Sequence, residues 1–190
     1  MDHRVLNLVS ALGLALGLAA DVLGGDPPGW LVNCGWEALL QRVGADDMPD
    51  GSGVVLSQVE VADSNGYYVP NANDSELTHP LYIRRSGGSA NPSSHATFVA
   101  RKFYGLTEGP ARGVSYVYCF KATGWAQGDY LNVTTTAAPE IIPIIKVWNH
   151  SWVGSFGNAT LDARVTRKLD FAITRDQDIV CVGLNNGATQ

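Results

Sequence analysis

The chain has 190 residues, of which 45% are hydrophobic and 16% charged, with a formal net charge of −5. That length suits one domain, or one domain plus a leader, and the ordinary apolar content excludes an intrinsically disordered chain. The acidic balance, with no basic cluster larger than Arg84-Arg85 or Arg167-Lys168, argues against a nucleic-acid binder, and the 21 glycines follow no fixed repeat.

Val5 to Ala20 is an apolar run broken only by Asn7 and Ser10. It is shorter than the roughly 20 residues a spanning helix needs. His3 and Arg4 precede it, and Gly17-Leu18-Ala19 fits the small-x-small pattern of a signal-peptide cleavage site. Residues 1–19 are therefore expected to be a secretory leader, which implies export. Residues 20–50 read as a linker and a helix. Within them, 24–33 are Gly/Pro-rich, and Trp36, Leu39, Leu40 and Val43 recur at helical spacing up to Gly44.

Val54 to Val61 reads as a buried strand, followed by a polar loop of about thirty residues, longer than most loops without function. Ser94 is the expected N-cap of a helix carrying Val99, Ala100 and Phe103 and stopped by Gly105. Val114 to Phe120 is the next strand, and a variable loop leads to another at Ile141 to Trp148. Leu161, Val165, Leu169, Ala172 and Ile173 mark one face of a helix whose polar face carries Asp162, Arg164, Arg167 and Lys168. Asp178 to Gly183 is a last apolar strand. Strands that are apolar throughout are buried on both faces, so the expectation is an α/β fold, a mainly parallel sheet with helices on both faces. Sites in such folds form beyond the carboxyl ends of the strands.

The three cysteines, Cys34, Cys119 and Cys181, make no disulfide framework. Cys119 and Cys181 lie in apolar runs and read as core. There is no G-x-G-x-x-G, Walker A or H-E-x-x-H pattern, and no cysteine pair at zinc spacing. Asn73, Asn132, Asn149 and Asn158 head Asn-x-Ser/Thr sequons, which are either glycosylation acceptors or plain surface asparagines.

Among the four histidines, His95 stands out, in the first turn of a helix after a Gly/Ser-rich loop. The helix N-terminus disfavours imidazolium and leaves a ring able to accept a proton. Glu60 lies where the first strand meets its loop. Asp63, in Ala-Asp-Ser-Asn-Gly, is the weaker alternative acid and is also a good turn residue. Gly183-Leu-Asn-Asn-Gly187 ends the last strand, where an asparagine amide could serve an oxyanion.

Together these segments resemble the subtilases, the subtilisin-like serine peptidases. Gly53-Val-Val-Leu-Ser-Gln-Val-Glu60 is similar to the first catalytic strand, G-V-x-V-A-V-I-D. Ser94-His-Ala-Thr-Phe-Val-Ala100 is similar to S-H-G-T-H-V-A, with Ala96 and Phe98 replacing a glycine and a histidine. Gly109-Pro-Ala-Arg-Gly-Val-Ser-Tyr116 is similar to G-V-A-P-x-A-x-L. Val147-Trp-Asn-His-Ser-Trp-Val-Gly154 is similar to V-I-N-M-S-L-G-G, with Val153 replacing a glycine. Ile179-Val-Cys-Val-Gly-Leu-Asn-Asn-Gly187 is similar to V-x-A-A-A-G-N-x-G. The segments stand in the family's order, with steps of 35 residues from Glu60 to His95 and 90 from His95 to Asn185.

The resemblance implies a secreted endopeptidase acting on polypeptide substrates, with 51–190 as a partial catalytic domain. His95 would be the general base, oriented by Glu60 through Nδ1. Asn185 would bind the oxyanion, and Ser151, Trp152, Val153 and Gly154 would form the substrate-binding edge. Trp152 would supply an apolar wall. The family's nucleophile sits in a G-T-S-M-A-x-P helix start that these residues do not contain, so the chain is expected to be truncated before it and inactive alone. Calcium is a family habit, and Asp74 and Glu76 lie in a loop of suitable composition. The alternative is a non-catalytic secreted binding or surface module on the same scaffold. Beyond the leader, no membrane segment is expected.

Overall fold

The computed structural model of the chain describes residues 29–183. The expected leader, residues 1–19, and Asn185 lie outside the described residues. Five parallel strands form one sheet in the order β2-β3-β1-β4-β5: β1 Val55–Glu60, β2 Leu81–Arg84, β3 Tyr116–Lys121, β4 Ile145–His150 and β5 Ile179–Val182. The helices are α1 Gly29–Asn33, α2 Trp36–Val43, α3 Ser94–Tyr104, α4 Ala122–Gly124 and α5 Ala159–Asp176. α4 runs on into a π-helical turn, Trp125–Asp129. The parallel α/β expectation therefore holds.

The sheet carries a core on each face. Leu56, Val117 and Cys119 pack with Ala100 and Tyr104 of α3, and Tyr68, Val69 and Leu77 of the β1–β2 loop complete this core. Val59, Phe120, Ile145 and Trp148 pack on the other face with Trp125 and Ala126, the segment Tyr130–Val133, and Ala172 of α5. Alternate side chains of one strand enter opposite cores, as the pleat requires. β1 sits between β3 and β4, which connect over opposite faces. Its carboxyl end is thus a topological switch point, the place where sites in open α/β sheets form.

Several boundaries differ from the sequence reading. β2 lies inside the expected long polar loop, where its apolar stretch is only Leu81 to Ile83. α4 and its π turn lie inside the expected variable loop, and α1 lies in the expected linker. The N-cap of α3 is Ser93 rather than Ser94, its Oγ accepting from Ala96 N at 3.3 Å. β5 is an edge strand with Ile179 and Val182 exposed, so it is not buried on both faces. For the same reason Cys181 is exposed and not core, while Cys119 is buried as expected.

The polar face of α5 fastens the β3–β4 connection. Lys168 Nζ donates to the carbonyls of Asn132, Thr135 and Ala137, Arg164 donates to that of Val133, and Arg175 donates to those of Pro139 and Glu140. Asn158 caps the helix through Thr160 and Leu161 N. The start of β5 is held to β4 by Asp178, which accepts from Trp148 Nε1 and Lys146 Nζ, each at 3.0 Å.

Candidate functional site

Glu60 is the last residue of β1, and His95 is the second residue of α3. Helix α3 begins where it does because Ser93 is tied on both sides. Its N–H donates to Val69 O at 2.8 Å, and its carbonyl accepts from Thr97 Oγ1 at 2.7 Å. Thr97 Oγ1 in turn accepts from Asn71 N at 2.9 Å. These bonds fix the first turn of α3 over the carboxyl end of β1, and with it the root of His95.

Glu60 Oε2 lies 3.3 Å from His95 Nε2. The carboxylate is fully buried, whereas the His95 side chain is 57% exposed. The pair therefore has one end in the core and one open to solvent. The hydrogen bond from Nε2 runs to the carbonyl of Ser151 at 3.1 Å, and Glu60 Oε2 has no aligned hydrogen-bond donor of its own. Nε2 thus faces the acid. The expected contact through Nδ1 is corrected, because the first turn of α3 brings the far edge of the ring to β1 and β4. With Nε2 donating, Nδ1 is the acceptor nitrogen.

Burial raises the Glu60 carboxyl to about 7, against the hydrogen bond from Gln58 and the charge of His95, which lower it. A carboxylate poised near neutrality beside a histidine is the kind of pair that acid–base chemistry uses. Asp63 does not compete for this place. Its Oδ1 accepts from Asn65 N and Tyr67 N, which makes it a turn residue.

Gln58 was not singled out in the sequence, yet it organises the site. It is fully buried in β1, and its Nε2 donates to Glu60 Oε1 at 2.8 Å and to Ala96 O at 2.9 Å. Its Oε1 accepts from the Tyr104 hydroxyl at 2.5 Å. A glutamine inside an otherwise apolar strand was the available signal. His150 was also passed over. It is buried at the end of β4 on the opposite face of the sheet from Glu60, with Trp125 edge-on at 4.4 Å. Burial pushes its imidazole down to about 3, so it is neutral.

Ser151 to Gly154 follow β4 directly and belong to no helix or strand. Ser151 reaches His95 through its carbonyl, Val153 is exposed, and Trp152 is half-buried against the core on the α5 face, 6.0 Å from His150. Asp74 and Glu76 do not fit a calcium site. Asp74 pairs with Arg101 at 3.6 Å, and Glu76 accepts from Thr107 N, Thr107 Oγ1 and Glu108 N. Among the described residues no three acidic, histidine or cysteine side chains converge as a metal site.

No family model, curated protein or solved structure matches this chain. The site is therefore read from its own geometry. A buried acid and an exposed histidine meet at the switch point of a parallel sheet, with the irregular segment Ser151 to Gly154 beside them. That arrangement can move a proton at an exposed imidazole nitrogen and present peptide groups to an extended ligand.

Proposed function

We propose that this chain carries the acid–base and substrate-binding part of a secreted subtilisin-like serine endopeptidase. The single observation supporting this reading is the contact of Glu60 with His95 at 3.3 Å across 35 residues of sequence, at the carboxyl edge of the sheet. Nδ1 of His95 would take the proton of a serine hydroxyl as it attacks the peptide carbonyl. It would then return that proton to the leaving amine. Glu60 would stabilise the imidazolium formed between the two steps. Asn185 would donate to the tetrahedral oxyanion, an interaction worth about 10²–10³ in rate. Ser151 to Gly154 would pair with substrate as an added strand. The serine would be supplied from outside the motifs quoted above.

The test compares the 190-residue chain with one extended into its genomic continuation, both treated with a serine-directed fluorophosphonate and offered peptides. Labelling of the extended form, lost in its His95→Ala variant, supports the reading. A folded extended form that is neither labelled nor active refutes it. The second reading, a non-catalytic binding module, is favoured by the occupation of His95 Nε2 by the Ser151 carbonyl. In that case the extended form binds peptides without cleaving them.

A further inference from the structure

The buried polar chain behind the site has a direction. Gln58 can satisfy all its neighbours in only one amide orientation, with Nε2 toward the two acceptors, Glu60 Oε1 and Ala96 O, and Oε1 toward the Tyr104 hydroxyl. Tyr104 is fully buried, and burial raises its phenol, which stays a donor. If the amide were reversed, Oε1 would face the carboxylate and a carbonyl, and an N–H would face the phenol. Two buried acceptors would then lose their donor, the expensive arrangement. The two acceptors therefore set the orientation of the Gln58 amide, and the Tyr104 hydroxyl completes the chain by donating to the oxygen turned away from them. The same amide ties the last turn of β1 to the first turn of α3, the two elements that carry Glu60 and His95.

We propose that Gln58 and Tyr104 are positioning residues that favour the carboxylate form of Glu60 against its burial and aim it at His95. The proposal rests on the acid–base reading of that pair, but not on hydrolysis. The titratable groups facing Glu60 are His95 and Tyr104 from α3 and Cys119 from β3, with Lys121 at the same register on β3. Among the described residues, Gln58 is the neutral group that donates to the carboxylate. Removing a hydrogen bond to a buried charge costs about 1.5–3 kcal/mol, or about one to two pH units in the titration of the acid.

The experiment follows the side-chain carboxyl carbons by NMR in the full chain labelled with 13C-glutamate, with the Glu60 signal assigned by its loss in Glu60→Gln. In Gln58→Leu the Glu60 midpoint is expected to rise by about one pH unit or more. In Tyr104→Phe it is expected to rise in the same direction by a smaller amount, and the other glutamates keep their midpoints. Gln58→Glu restores neither the donor nor the midpoint. An unmoved Glu60 midpoint in folded Tyr104→Phe and Gln58→Leu overturns the proposal. So does a shift shared by all glutamates, which marks general loosening. Should Gln58→Leu not fold, Tyr104→Phe, which loses one hydroxyl only, decides alone. Because no turnover is read, the result stands apart from the fluorophosphonate test.

Discussion

Gln58 Nε2 donates to Glu60 Oε1 at 2.8 Å, two residues along the same strand. Residues so spaced share one face of a sheet, so a strand can carry an acid and the amide that steadies it without help from a turn. The other oxygen of that carboxylate faces His95 and lacks an aligned donor. One oxygen is therefore held by the scaffold and the other is left for the site.

Replacing Glu60 by glutamine removes a charge that burial opposes. The carboxyl is held at about 7 in the fold, against an ordinary 4.5. Its contribution to stability is thus present below pH 4.5 and lost as the pH rises through 7. Glu60→Gln is expected to be more stable than the parent at pH 8, and to lose the activity of the extended enzyme. Urea unfolding at pH 8, beside peptide turnover, checks both.

His150 works with the opposite sign. Its imidazole is held at about 3, against 6.5. Its stabilisation is present above 6.5 and is lost as the pH falls toward 3. Between 4.5 and 6.5 the slopes due to Glu60 and His150 oppose each other, and His79, whose imidazole burial also lowers, adds to the His150 side. The parent is expected to show a shallow loss of stability toward acid across that window and a steeper one below it. His150→Phe should unmask rising stability toward acid, and Glu60→Gln should unmask falling stability. Denaturation midpoints measured from pH 4 to 8 on all three proteins decide this.

Lys168 donates to three carbonyls of one loop, those of Asn132, Thr135 and Ala137. Lys168→Met keeps the stem and removes the donors. The expected cost is about 1–2 kcal/mol, because the partners are exposed enough to recruit water. Faster amide exchange is expected in residues 132–140 than in β1. Hydrogen-exchange mass spectrometry measures the contrast.

The thiols should divide by burial. Cys34 and Cys181 are exposed and Cys119 is buried, with burial pushing its thiol well up. A thiol-reactive disulfide at pH 8 is expected to label Cys34 and Cys181 in the folded protein, and Cys119 only after unfolding. Rapid labelling of all three thiols under native conditions would contradict the fold around β3.

Much of the architecture was readable from the chain. The helical period from Trp36 to Val43, the spacing of Leu161, Val165 and Leu169, and the apolar runs at β1, β3 and β4 each report burial locally. The placement of His95 at a helix start after a strand ending in Glu60 was equally local. β2 was missed because its apolar stretch is only Leu81 to Ile83. The apolar composition of β5 predicted a buried strand, but its position at the sheet edge leaves Ile179 and Val182 exposed.

By itself, then, the sequence determined the element types, the parallel α/β class and the pair of residues worth bringing together. Only the tertiary structure decided that Nε2 rather than Nδ1 faces Glu60, that Asp63 is spent in a turn, and that Tyr104 reaches Gln58 across 46 residues. The physical reason is range. Side-chain period records which face of one element is buried, whereas hydrogen-bond partners depend on the strand order and on where each helix begins. That order put β1 at the centre of the sheet, and so turned a glutamine in an apolar run into the support of the site.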